Sequence, residues 1–154
     1  MTQLRTVGFL LAALASLAQV QAPDPLARAR QLYNEQKYEE AIQAASEARK
    51  IPANVNAASV VFARAQGYGA ALSAAELEMM NLTGDGNGLD IITMPSTWRE
   101  RVPTSNFFQP GGYERNPIAG RSGVVSKLIA ATNAVMDQES KLQGAKDLAA
   151  LFSK

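Results

Sequence analysis

Residues 25–50 read PLARARQLYNEQKYEEAIQAASEARK, and the spacing of their apolar residues decides the fold. Leu26, Ala29, Leu32 and Tyr33 form one set; Tyr38, Ala41, Ile42, Ala45 and Ala48 form a second. Both recur at the helical period, so each set lies on one face of an α-helix. Asn34-Glu35-Gln36-Lys37 is a polar break between them. Asp24 followed by Pro25 supplies an N-cap and a first-turn proline. Glu39 and Glu40 lie where the second helix begins, and Arg49 and Lys50 where it ends. Each sign suits the helix dipole at its end. Ile51-Pro52-Ala53-Asn54 stops the second helix, so residues 25–50 predict a helix–turn–helix pair.

A related pattern follows. Ala57 to Gln66 is apolar at helical spacing, Gly67-Tyr68-Gly69 suits a turn, and Ala70 to Leu82 is a further helix closed by Gly84. Shifting the chain by 34 residues aligns Leu26 with Val60, Ala29 with Ala63, Arg30 with Arg64, Tyr38 with Leu72 and Ala41 with Ala75. That is the period of a helical-hairpin repeat. Tyr38-Glu39-Glu40-Ala41-Ile42, with Ala48 seven residues after Ala41, resembles the second half of a tetratricopeptide repeat (TPR). The resemblance covers residues 23–54 and, more weakly, 56–84. Arg28, Ala45 and Pro52 depart from it: the family usually has Leu at the first position, often a large aromatic at the second, and its closing Pro one residue later. The resemblance implies small residues letting paired helices approach, with Tyr38 packed between them. It also implies a helical scaffold for protein contacts with no chemistry of its own.

Residues 85–121 change character. Pro95, Pro103, Pro110 and Pro117, with Gly86, Gly88, Gly111, Gly112 and Gly120, break long helices. Leu89 to Met94 reads as a short strand, and the remainder as an irregular segment, disordered or laid over a surface. This segment holds the only Trp, Trp98, with Arg99, Arg101, Phe107, Phe108, Tyr113 and Arg115. Trp, Tyr and Arg dominate binding hot spots. One reading makes the segment a docking surface; the other folds its aromatics back onto the chain's own alanine-rich helices. Residues 122–154 return to helix, with Ser122 as N-cap and Val124, Leu128, Ala131, Val135 and Leu142 on one face, with Val125, Ile129 and Met136 beside it. Gly144 interrupts, and Leu148, Leu151 and Phe152 resume the apolar face. This part is expected to cap the hairpins, whose terminal face needs cover.

Ahead of the hairpin, residues 1–22 read MTQLRTVGFLLAALASLAQVQA. Arg5 gives a positive start, Val7 to Leu17 a short apolar run, and Val20-Gln21-Ala22 a cleavage pattern, which together form a secretory signal. An uncleaved anchor is the alternative. Lipid attachment is excluded, since no Cys stands at the cleavage point. Loss of residues 1–22 removes Arg5 alone and leaves 14 residues of each sign.

The 154-residue chain has no His and no Cys. That removes imidazole bases and ligands, thiol nucleophiles, disulfides and thiolate metal sites. No Ser has a Lys three residues on. With 15 basic and 14 acidic residues, the chain lacks the basic excess a nucleic-acid surface wants. Asp85-Gly86-Asn87-Gly88-Leu89-Asp90 has alternating oxygens like a calcium loop, but Leu89 and Asp90 stand where a ligand and the required glycine belong. It reads instead as a turn, and no metal or cofactor is expected. Glu39 with Glu40, Glu76 with Glu78 and Asp137 with Glu139 are too close in sequence to share a helix face.

The expected fold is mainly α: residues 23–84 as hairpins, 85–121 irregular, 122–154 a helical cap. The expected function is a non-catalytic, exported, periplasmic or secreted scaffold that binds another protein, in an envelope or membrane complex. Its contacts would be Arg30, Tyr33, Trp98, Arg99, Arg101, Phe107, Phe108, Tyr113 and Arg115, with Leu26 on the same first-helix face. The alternatives are an accessory subunit tethered by an uncleaved N-terminus and a small carboxylate-dependent hydrolase.

Overall fold

A computed structural model describes residues 24–152. The targeting segment and the side chains of Leu148, Leu151 and Phe152 lie outside the described residues. Helix α1 (Pro25–Asn34) starts where the Asp24 carboxylate accepts from the Leu26 amide at 3.1 Å. It ends at Gln36, which takes a left-handed backbone at φ 61°, and the Lys37 amide closes back onto the Leu32 carbonyl at 2.9 Å. Helix α2 (Tyr38–Ala48) then runs back along α1. Ala29, Ala41, Ala45 and Ala48 are all completely buried. Their methyl groups occupy little space, so the two backbones can approach closely. Tyr38 is 45% exposed, so it edges this hairpin instead of packing between its helices.

A short 3-10 turn (Pro52–Asn54) leads into helix α3 (Val55–Ala65), which packs on both α1 and α2. The chain is thus a set of helix hairpins packed on one another, compatible with a helical repeat. The 34-residue correspondence holds in part. Ala29 and Ala63 are both buried, as are Ala41 and Ala75, whereas buried Leu26 corresponds to exposed Val60. Helix α4 (Ala74–Thr83) begins four residues after the expected Ala70, because the local capping chemistry is strongest there. The Glu76 amide donates to Ser73 Oγ at 3.2 Å, and the Ser73 amide donates to the Glu76 carboxylate at 2.7 Å. This reciprocal box fixes the start.

Gly84, at φ 90°, ends α4 and turns directly into helix α5 (Asp85–Thr93), the principal neighbour of α4. The strand expected over Leu89–Met94 is therefore mostly helix, and the calcium-like turn is the first turn of α5. The β-branched pair Ile91-Ile92 favours a strand locally, but burial of Ile91 against α4 and α9 (Val125–Glu139) overrides that preference.

The expected irregular segment is a series of short helices: α6 (Ser96–Arg99), a 3-10 turn (Thr104–Phe107), α7 (Gly112–Arg115) and α8 (Pro117–Ser122). Its breakers delimit these turns. Pro95 and Pro103 stand at N-cap positions, and Pro117 is the first residue of α8, capped by the Asn116 side chain. Ser122 is the last residue of α8, not the cap of the next helix; its hydroxyl bonds the Ile118 carbonyl at 2.6 Å. Helix α9 follows, and its buried face is Val125, Leu128 and Thr132. The break falls at Ser140–Leu142, and Gly144 lies in the first turn of α10 (Gln143–Phe152). Leu142, expected inside, is half exposed at that break.

Two apolar cores result. The first gathers the α1–α3 residues with Met80; the second gathers Met79, Ile91, Val125 and Leu128 with Val102, Phe107, Phe108 and Ile118 around them. Met79 and Met80 are adjacent on α4, so that helix is the wall shared by both cores. Helix α9 packs on α4. The loop at Val102–Thr104 is pinned to residues 123–125 by Thr104 N to Gly123 O at 3.0 Å and Val125 N to Val102 O at 3.1 Å.

Candidate interaction surfaces

The residues expected to bind a partner fall into three environments. Phe107, Phe108 and Tyr113 are half-buried. The two Phe pack on the second core, and Tyr113 meets Phe108 edge-on with centroids 5.9 Å apart. These aromatics supply the core volume that an alanine-rich chain lacks. Arg99 is also engaged internally. Its Nε donates to the Met94 carbonyl and its guanidinium NH2 to the Ile92 carbonyl, each at 2.8 Å. It thereby satisfies carbonyls at the C-terminal end of α5, where helix carbonyls lack intrahelical partners.

Trp98 is the contrast. It is 62% exposed, yet it sits on the α6 turn that Arg99 ties to α5 and that packs on α9. Its backbone is held as well: the amides of Arg101 and Val102 both donate to the Trp98 carbonyl, at 2.9 and 3.0 Å. Arg101 is exposed one turn away, and Arg115 is exposed on α7. Neither makes an ion pair among the described residues. A crevice of about 60 Å³ lies beside Arg99, lined by Ala75, Met79, Ile91, Ile92 and Ile129, with Glu76 and Asn133 at its edge.

Arg30 and Tyr33 lie at a separate place, on α1. Arg30 is exposed and Tyr33 half-buried. The Tyr33 ring leans on Tyr38, with centroids 5.8 Å apart and planes at 53°. Across a groove stand Arg64, Gln66 and Tyr68 at the end of α3. The sequence reading singled out Tyr33 but not Tyr38, Arg64 and Tyr68 as its companions. The 34-residue shift paired Arg64 with Arg30 and placed it near the hairpin, a signal that could have found it. On the turn after α1, Glu35 pairs with Lys37 at 2.8 Å. That contact lowers the Glu35 pKa and raises that of Lys37.

The polar centre that sequence reasoning missed is buried. Arg49 at the end of α2 donates to Asp85, to Ser59 Oγ at 2.7 Å and to the Met80 carbonyl at 3.0 Å. Ser59 Oγ in turn contacts Asp85 Oδ1 at 2.7 Å. Burial pushes the Asp85 carboxyl above its ordinary value, against the opposing pull of Ser59 and Arg49. The bonds of Arg49 and Asp85 thus link the end of α2 with α3, α4 and α5. Among the described residues no three acidic side chains converge as a metal site would require. No described helix is long and apolar enough to cross a membrane. No protein-family model, no curated protein and no solved structure matches the chain.

Proposed function

We propose that the protein is a non-catalytic, exported interaction module: a tetratricopeptide-like helical scaffold that presents Trp98 and Arg101 to a protein partner of the cell envelope. One observation carries this reading. The only Trp of the chain is 62% exposed on an ordered turn, while the Phe and Tyr residues of the same segment are packed or half-packed. Exposing an indole forgoes about 1.5–3 kcal/mol of apolar burial. A rigid, exposed Trp beside an unpaired Arg is the composition of a binding anchor. The α1–α2 hairpin, with its fully buried alanines, supports the tetratricopeptide likeness over that part of the chain. The pairing of α4 with α5 departs from a simple second repeat.

The test is capture of envelope proteins by the native chain and by a Trp98→Ala, Arg101→Ala double variant. Both positions are exposed, so the variant is expected to keep native helicity and unfolding midpoint. The native chain should capture a partner stoichiometrically and the variant should lose it by at least about tenfold, as truncation of a hot-spot pair does. Equal capture by a folded double variant removes this surface from the proposal.

A further inference from the structure

The Tyr33–Tyr38 pair and the end of α3 enclose a feature that the Trp98 surface does not use. The groove has a volume of about 450 Å³ and is lined by Tyr33, Tyr38, Arg64, Gln66, Gly67 and Tyr68. One wall is formed by the Tyr33 and Tyr38 rings, which touch each other with their planes tilted at 53°. The other is held in place: the Tyr68 hydroxyl bonds Glu76 at 3.2 Å, and Arg64 donates to the Gly69 carbonyl at 2.9 Å. Gly67 and Gly69 add no side chains to the loop beside it, and a Cβ at either would meet nothing within 4 Å. Arg64 is exposed and makes no ion pair among the described residues.

We propose that this groove binds an extended, proline-rich peptide segment carrying an acidic residue. The groove is shallow, so it suits a chain lying along it more than a compact metabolite. A polyproline II segment presents flat pyrrolidine rings and leaves its backbone carbonyls without internal hydrogen bonds. The exposed part of the Tyr38 ring, backed by Tyr33, gives a face on which a pyrrolidine ring stacks. The Tyr33 and Tyr38 hydroxyls and the Gln66 amide are donors for the carbonyls, the Tyr68 hydroxyl being given to Glu76. Such segments are already extended when free, so little entropy is lost on docking. A helical ligand would need an apolar stripe several turns long, and this groove offers two rings at one end. No strand is found among the described residues, so an added-strand mode has no edge to join here. Arg64 supplies an uncompensated positive charge on one side, which selects a carboxylate on the peptide. Tyrosine walls of this kind hold few rotatable bonds and are pre-ordered by their neighbours.

The experiment is a titration of the full chain, ¹⁵N-labelled, with four probes: an acetylated, C-terminally amidated proline-rich peptide ending in Glu, the same peptide ending in Gln, a Gly/Ser peptide of the same length ending in Glu, and a neutral β-linked glucose oligosaccharide. The expected result is saturable shifts at Gly67, Gly69 and the three tyrosines with the proline peptides alone. Tyr38→Ala should weaken binding about tenfold. Arg64→Gln should weaken the Glu-ended peptide several-fold and leave a Gln-ended one unchanged. Both side chains are exposed enough that native helicity is expected in both variants, and either variant alone suffices for the comparison. Trp98→Ala should bind the peptide as the native chain does, which separates this site from the envelope-partner surface. The inference is overturned by absence of saturable shifts at millimolar peptide, by equal binding of the Gly/Ser peptide, or by shifts produced by the oligosaccharide instead.

Discussion

Asp85 shows how one residue can be misread from its neighbours in sequence. Beside Gly86, Asn87 and Gly88 it belongs to a turn; in the molecule it is the buried partner of Arg49, 36 positions away. No local pattern carries that information, because the contact exists only once α2, α3 and α5 are packed. Removing one member of a buried pair leaves the other charge without compensation, which costs about 3–5 kcal/mol. Asp85→Ala is therefore expected to lower the free energy of urea unfolding by about that much at neutral pH. A loss below about 1 kcal/mol would show the group is dispensable. The pH dependence has a definite sign. The folded carboxyl is raised above its unfolded value, so the native state holds more protons between the two values. The pH-dependent part of its contribution is fully present below the unfolded value, about 3.9 for Asp, and is lost as pH rises through the folded one, while the pairing with Arg49 that Asp85→Ala removes remains at neutral pH. The advantage of the native chain over Asp85→Asn should accordingly shrink as pH is raised from the acidic side.

At the scale of elements, what the sequence revealed tracks how local the cause is. Helices α1 and α2 were legible because caps, polar break, charge placement and apolar period all agree within 26 residues, 25–50. The start of α4 was missed although Ser73 and Glu76 spell out a capping box, because alanines upstream extend the apparent helix. The short helices between 95 and 122 were not legible. Each is too short to show a period; α6 and α8 are held against α9, and α7 and the 3-10 turn against α8. The apolar face of α9 is legible at Leu128 and Val125, but Thr132 is buried with them and Leu142, expected on that face, is exposed. Trp98 and Tyr33 were legible as candidates from residue type alone, but not that Arg99 and the Phe pair would be turned inward. Helix α5 offers a paired test. Glycine inside a helix costs about 0.5–1 kcal/mol relative to alanine. At Gly86 an added methyl meets nothing within 4 Å, so Gly86→Ala should stabilise by about that amount. At Gly88 the same methyl would lie 2.5 Å from Met80 Cα and 2.9 Å from Met80 N, both backbone atoms that cannot step aside. Gly88→Ala should instead destabilise by about 1–3 kcal/mol, the range for overpacking. Thermal unfolding of the two variants checks the opposite signs. A stabilised Gly88→Ala would mean that α4 and α5 are not in backbone contact.

For the whole molecule, two modest cores share α4, and no disulfide is available to reinforce them. Apolar packing and the buried Arg49 group must therefore hold the chain together in whatever compartment it works. Export is the proposal that sets that compartment, and it makes a claim about the mature protein. Cleavage after Ala22 would leave Pro23 as the new terminus and Asp24 intact as the cap of α1. The positive terminal amine would then stand near the positive end of α1, an unfavourable placement. The Asp24 carboxylate at the start of α1 offsets it, so processing should leave α1 folded. Expression of the full chain in a Gram-negative host, followed by intact mass measurement of the soluble envelope fraction, should find a protein lacking residues 1–22. Ala22→Tyr, which puts a bulky side chain at the position the peptidase inspects, should hold back the full-length form in the membrane fraction. If the unsubstituted chain itself remains full-length and sediments with membranes, the N-terminus is an anchor. Trp98 and the tyrosine groove would then serve a tethered subunit in place of a diffusing one.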